Sequence, residues 1–67
     1  MTMTIEVLIY SGDEVVARGE PIGDEPEDII YCARVLWDEA GNGQWYQKRR
    51  AAFYVDDKLT AETYRRP

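Results

Sequence analysis

The stretch GDEPEDIIYCARVLWDEAGNG, residues 23–43, decides the fold that we predict for this chain. Placed at steps of about 100°, residues 26–40 show one broad apolar face and an opposite face that is mostly charged, as in an amphipathic helix. The apolar face consists of Ile29, Ile30, Cys32, Ala33, Leu36, Trp37 and Ala40. The opposite face consists of Glu27, Asp28, Tyr31, Arg34, Val35, Asp38 and Glu39. We therefore predict a helix that packs on a core by one side.

Both ends of this stretch carry residues that helices use to start and stop. Asp24 is a suitable N-cap, and Glu27 follows three residues later, which is the spacing of a capping box. Pro26 fits the first turn because the amide that it lacks would have no partner within the helix. Gly41 and Gly43 can adopt the left-handed backbone that ends a helix. The sequence thus predicts a helix with Asp24 as its N-cap.

Strand patterns lie on both sides of the helix. Residues 4–10 alternate apolar side chains with period two, and residues 15–20 follow after a turn, so these two segments predict a hairpin. After the helix, residues 44–55 and residues 59–64 are predicted as two further strands. The order β-β-α-β-β indicates a single α+β domain over residues 1–67, with an antiparallel sheet of about four strands and one helix on one face.

The segment that follows the helix combines aromatic residues with bases. As a strand, its two sides consist of Trp45, Ala51, Phe53 and Val55, and of Tyr46, Ala52 and Tyr54. Lys48, Arg49 and Arg50 interrupt it, so we expect a bulge or bend there. Bases among aromatic residues also occur on surfaces that bind single-stranded nucleic acid. The net charge of −5 works against phosphate binding, and packing of alternate residues explains the aromatic positions. We expect residues 65–67 to be a frayed tail.

The composition excludes several classes of protein. A chain of 67 residues with one cysteine can form no intramolecular disulfide, which is the usual cross-link of small secreted domains. No apolar run approaches the roughly 20 residues that span a membrane, and the first residues lack the pattern of a signal peptide. We therefore expect an intracellular, cytoplasmic protein without membrane contact. Separately, we expect a monomer.

Residues that carry out catalysis are scarce. There is no histidine, which is the commonest general base and metal ligand. Ser11 is the single serine and has no base to activate it, and Cys32 lies on the apolar helix face, where a cysteine usually acts as a small hydrophobic residue. The acids near residue 24 are followed at once by helix, unlike a calcium loop. We expect no enzyme, cofactor or metal site.

The charged helix face has features of a protein-binding patch. Tyr31 and Val35 are four residues apart, so they are neighbours within the acidic sector. Apolar and aromatic groups within a charged rim are typical of binding patches, although a charged helix face is ordinarily just solvated. Five acids and no base lie between residues 20 and 28, which is more than capping requires. The predicted partner-binding residues are Glu20, Asp24, Glu25, Glu27, Asp28, Tyr31, Val35, Asp38 and Glu39.

In size, acidity, single-domain layout and absence of catalytic groups, the chain resembles the small acidic anti-CRISPR proteins of phages that act as DNA mimics on type I CRISPR surveillance complexes. This resemblance is one of type and involves no shared motif. It implies an inhibitor, in a bacterial host cell, that covers the basic groove where the complex (Cascade) recognises the protospacer-adjacent motif. The segment 44–67 contains more bases than acids, and this departs from the pattern of a uniformly acidic mimic. The alternative is a small interaction module, antitoxin-like or a phage accessory protein, that does not mimic DNA.

Overall fold

A computed structural model describes residues 3–41 and 48–67 of the chain. The elements are β1 (Ile5–Ser11), β2 (Glu14–Gly19), α1 (Pro26–Glu39), β3 (Arg49–Val55) and β4 (Lys58–Thr63). The strands form one antiparallel sheet in the order β2-β1-β3-β4. The predicted α+β fold, the hairpin and the order β-β-α-β-β are confirmed. In the described part of the chain, no helix has the length and apolarity that crossing a membrane requires.

The core lies between α1 and the first two strands. Alternate residues of β1 face the helix, and Ile5, Val7 and Ile9 are buried. Ala33 on α1 and Ala51 on β3 are fully buried, and their small side chains let the helix approach the sheet closely. The side chains that pack around this cluster are Ala17, Ile29, Cys32, Leu36, Trp37, Ala40 and Phe53. The predicted apolar helix face is thus confirmed in all but one residue.

The exception is Ile30, which is 41% exposed. The helix packs mainly on β1 and β2, so part of the same side of β3 and β4 is left open. The resulting hollow, of about 330 Å³, is lined by Ile5, Pro26, Ile29, Ile30, Phe53, Val55, Thr60 and Ala61. The prediction that Ile30 faces the core is wrong because the helix is displaced toward β2 and little of the sheet lies beneath that side chain.

The start of the helix also differs from the prediction. Glu25 is the N-cap, with an extended backbone and no hydrogen bond from its side chain. Its carbonyl oxygen accepts from the amides of Asp28 (3.0 Å) and Ile29 (3.1 Å). Proline disfavours helical backbone in the residue before it, so Pro26 fixes the N-cap at Glu25. The assignment of Asp24 as N-cap is therefore wrong.

The end of α1 follows the prediction. Gly41 has a φ of 73°, and its amide donates to the carbonyl oxygen of Asp38 at 3.1 Å. Left-handed backbone at this position is nearly free of strain for glycine alone.

In β3, the predicted alternation is confirmed for the described residues, because Ala51, Phe53 and Val55 pair with buried residues of β1. Arg50 pairs with β1 in regular register, and the irregularity falls between Phe53 and Tyr54 on the side of β4. The predicted bulge at the bases is therefore wrong. Residues 44–47, predicted as the start of this strand, lie outside the described residues.

Candidate protein-binding surface

Five carboxylates surround the β2–α1 loop and the first turn of α1. Glu20, Asp24, Glu25 and Glu27 are exposed, and Asp28 is half-buried. The described residues form ion pairs between Arg18 and Glu6, Arg50 and Glu62, and Arg66 and Asp38. None of the five carboxylates pairs with a base in the described part of the chain. The positive end of the helix dipole favours negative charge at this location.

The loop before the helix lies against the first turn because residue 23 is a glycine. A β-carbon at Gly23 would collide with the carboxylate of Asp28. The absence of a side chain at Gly23 leaves room for the carboxylate of Asp28 beside the loop, where Asp28 is half-buried. Glu25 and Glu27, in contrast, are both exposed.

Two apolar side chains lie among these carboxylates. Ile22 is 93% exposed and Tyr31 is 66% exposed. Both line a shallow hollow of about 270 Å³ that also includes Val35, Glu20 and Glu39. Both also line a second hollow, of about 510 Å³, on the other side of Tyr31. We call the five carboxylates together with Ile22 and Tyr31 the acidic surface.

Sequence reasoning missed Ile22. The periodicity of neither β2 nor α1 assigns this residue to the core, because it lies in the loop that joins them. The signal was available in the order Pro21-Ile22-Gly23, since an isoleucine between two residues that break regular structure has no strand or helix face to occupy.

The second half of the helix face differs in its electrostatics. The guanidinium of Arg66 donates two hydrogen bonds to the carboxylate of Asp38, at 3.0 and 2.8 Å. This contact holds the pKa of Asp38 below its usual range and raises the pKa of Arg66. Nearby, Nε of Arg34 donates to the carbonyl oxygen of Pro67 at 2.6 Å. The prediction of a frayed tail is wrong, because residues 66 and 67 are bound to the helix.

The structure therefore separates the predicted partner-binding residues into two groups. Asp38 already has a cation within the chain. Glu39 is exposed and Val35 is half-buried, and both lie at the hollow beside Tyr31. Among the predicted partner-binding residues, five of the six carboxylates that form no ion pair in the described part of the chain lie at the other end of the helix, at the acidic surface; the sixth is Glu39.

Two of the three bases expected to interrupt β3 contact other parts of the protein. Arg49 donates to carbonyl oxygens at the end of α1, including that of Trp37 at 3.4 Å. The Arg50 guanidinium lies 4.2 Å from the centroid of the Tyr10 ring and 3.3 Å from a carboxylate oxygen of Glu62. These contacts argue against the alternative interpretation in which the bases and aromatic residues of this segment bind single-stranded nucleic acid. Trp45 and Tyr46, which belonged to that alternative, lie outside the described residues.

Cys32 and the possible metal ligands are two further features of the described residues. Cys32 is half-buried against the core, and burial raises the pKa of its thiol, so the thiolate is disfavoured. Within residues 3–41 and 48–67, no three histidine, cysteine or acidic side chains are grouped as a metal ion would require.

Comparison of the chain with protein-family models, curated proteins and solved structures found no match.

Proposed function

We propose that this protein is an inhibitor that binds a basic groove of a bacterial defence complex through the acidic surface. The observation that carries the proposal is the set of five carboxylates, unpaired within the described residues, around the exposed Ile22 and Tyr31. Ile22 is apolar and 93% exposed, so its burial against a partner would contribute favourable free energy to binding. The carboxylates around it favour a basic partner.

A groove that holds DNA is a suitable partner because its lysine and arginine side chains are arranged to contact phosphates. Carboxylates that are not neutralised within the chain can occupy those side chains in place of DNA. The proposed target is the type I CRISPR surveillance complex in the cytoplasm of the bacterial host, at the site where it recognises the protospacer-adjacent motif. Occupation of that site blocks recognition of target DNA.

The charges and the apolar residues have separate tasks in this proposal. The net charge of −5 steers the chain toward a basic surface and raises the association rate. Tyr31 and Ile22 provide contact area, which slows dissociation. Within the tail, Arg66 is paired with Asp38 on the other half of the helix and therefore does not neutralise the acidic surface.

One observation favours the alternative function, an interaction module that does not mimic DNA. A phosphate backbone has no counterpart to an exposed aliphatic side chain such as Ile22. If apolar contact dominates, the partner has an apolar pocket beside basic residues, and DNA does not compete for the same site. Competition by DNA therefore distinguishes the two functions.

The direct test measures binding of double-stranded target DNA to a purified type I surveillance complex, by electrophoretic mobility shift, with the protein added first. We expect the protein to prevent the shift. A double variant, Glu25→Lys with Glu27→Lys, should lose this effect. The matched control is Asp13→Lys with Glu14→Lys, which makes the same change in charge at the β1–β2 turn and the first residue of β2, at the other end of the sheet. Equal loss in both variants, or no inhibition by the unmodified protein in any subtype, would refute mimicry at this surface.

A further inference from the structure

The sheet has a second face, opposite α1, that no element of the described chain covers. Along each strand, every second side chain faces the core, and the side chains between them form this second face. We call it the helix-free face. Its members are Glu6, Leu8, Tyr10, Val15, Arg18, Arg50, Ala52, Tyr54, Leu59 and Glu62. Two acids and two bases balance on this face, so the net charge of −5 is carried elsewhere on the chain.

Side chains at the centre of this face contact one another. Arg50 lies over the ring of Tyr10 and reaches Glu62. Tyr10 and Tyr54 lie close enough that hydrogen bonding with the Tyr10 side chain raises the pKa of Tyr54. Ala52, which lies in the row between the two tyrosines, is 1% exposed. These contacts connect side chains of β1, β3 and β4 on this face.

The strand register places opposite charges at the two edges of one row. Arg18 pairs with Leu8, Leu8 pairs with Ala52, and Ala52 pairs with Glu62. This row thus crosses all four strands, from an arginine on β2 to a glutamate on β4. The side chain of Arg18 is 70% exposed and that of Glu62 is 36% exposed. Apolar Val15 and Leu59, on the same two outer strands, are 40% and 52% exposed.

We propose that the helix-free face binds a second copy of this chain, face to face. A two-fold axis parallel to the strands, between β1 and β3, places β2 of one copy over β4 of the other. Because the axis keeps the position along the strands, Arg18 meets Glu62 of the second copy, and Tyr10 meets Arg50 of the second copy. An isologous interface needs a surface that is complementary to itself. The contact between Arg18 and Glu62 satisfies this condition, and the two-fold axis makes it form twice, once from each copy.

The charge distribution argues for a second copy over other occupants. Nucleic acid gains little from a face on which two glutamates cancel two arginines. Two copies of an acidic chain repel one another over most of their surface, whereas the helix-free face is neutral. Since α1 lies on the other side of the sheet, such a dimer leaves both acidic surfaces accessible. This proposal differs from the monomer that we expected from the sequence, and the measurement below distinguishes the two.

The test measures the molar mass of the whole chain by sedimentation equilibrium, up to several hundred micromolar. We expect a dimer for the unmodified protein. Arg18→Glu or Glu62→Arg alone brings like charges together and should weaken dimerisation about tenfold or more. The double variant with both changes restores opposite charges between the copies and should recover the dimer in part, since positions 18 and 62 then carry the same charge as Glu6 and Arg50 within each chain. Arg65→Glu, an equal charge change in the exposed tail, serves as the matched control and should have no such effect.

Two outcomes would overturn the proposal. One is a protein that is monomeric throughout this concentration range. The other is a dimer that the charge swap does not restore but that Ile30→Glu dissociates, which would assign the contact to the hollow between α1 and β4. Methyl NMR of the unmodified protein gives a check that needs no variant. The signals of Leu8 and Leu59 should change with concentration while those of Ile30 do not, and the opposite pattern contradicts the proposal.

Discussion

The guanidinium of Arg49 lies over the indole ring of Trp37, 5.4 Å from the ring centroid, and donates to the carbonyl oxygen of the same residue. This contact joins β3 to the last turn of α1. The last turn contains no basic residue of its own, so Arg49 supplies the positive charge that the carbonyl end of a helix favours. A base that could be interpreted as part of a binding face is thus a structural residue.

Replacing this base should destabilise the protein. We expect Arg49→Gln to lower the free energy of unfolding by about 1 kcal/mol, because it removes charge from the helix end and the stacking on Trp37. Lys48→Gln changes the same charge at the neighbouring exposed position and should have almost no effect. Chemical denaturation of both variants provides the measurement. Equal losses would show that Arg49 acts through net charge alone.

The pairing of Asp38 with Arg66 predicts a dependence on pH. A lowered pKa of a carboxyl group means that its contribution to stability is present above the ordinary value, about 3.9, and is lost as the pH falls through the lowered value. Arg66→Gln should return the pKa of Asp38 toward the ordinary value, whereas Arg65→Gln should leave it lowered. A carboxyl NMR titration measures this. An unchanged Asp38 in Arg66→Gln would mean that the tail is not bound to the helix.

Core truncations should differ according to burial. Ile9 is fully buried, so Ile9→Ala should cost about 2–5 kcal/mol of unfolding free energy. Leu36 is half-buried beside Gly19, so Leu36→Ala leaves a gap that solvent can partly fill and should cost less. Thermal or urea unfolding compares the two. A larger loss for Leu36 would place the centre of the core nearer the C-terminal half of the helix than the structure does.

Features with a short sequence period could be predicted. Alternation along residues 4–10 predicted β1, and the apolar positions from Ile29 to Ala40 predicted the buried side of α1. Features set by geometry between elements could not. The exposure of Ile30 depends on the lateral placement of the helix over the sheet, which no local pattern encodes. The binding of Arg66 to Asp38 joins residues that are 28 positions apart.

The candidate site was predictable to a similar extent. The five carboxylates could be found as a run of acids without a base, and Tyr31 as an aromatic residue on the polar face. Their separation from Asp38 could not, because it depends on the tail. Ile22 is a loop residue, and exposure in loops follows from the path of the chain and not from periodicity.

The central claim is that the acidic surface forms the contact with a basic partner, and binding kinetics to the purified surveillance complex test it most directly. We expect Glu25→Lys with Glu27→Lys to reduce the association rate, and the reduction to shrink at high salt, since charge steering is screened over about 8 Å at physiological ionic strength. Tyr31→Ala should instead speed dissociation with little dependence on salt. If these variants bind as the unmodified protein does, while Lys48→Gln with Arg65→Gln abolishes binding, the claim is contradicted and the basic residues form the contact.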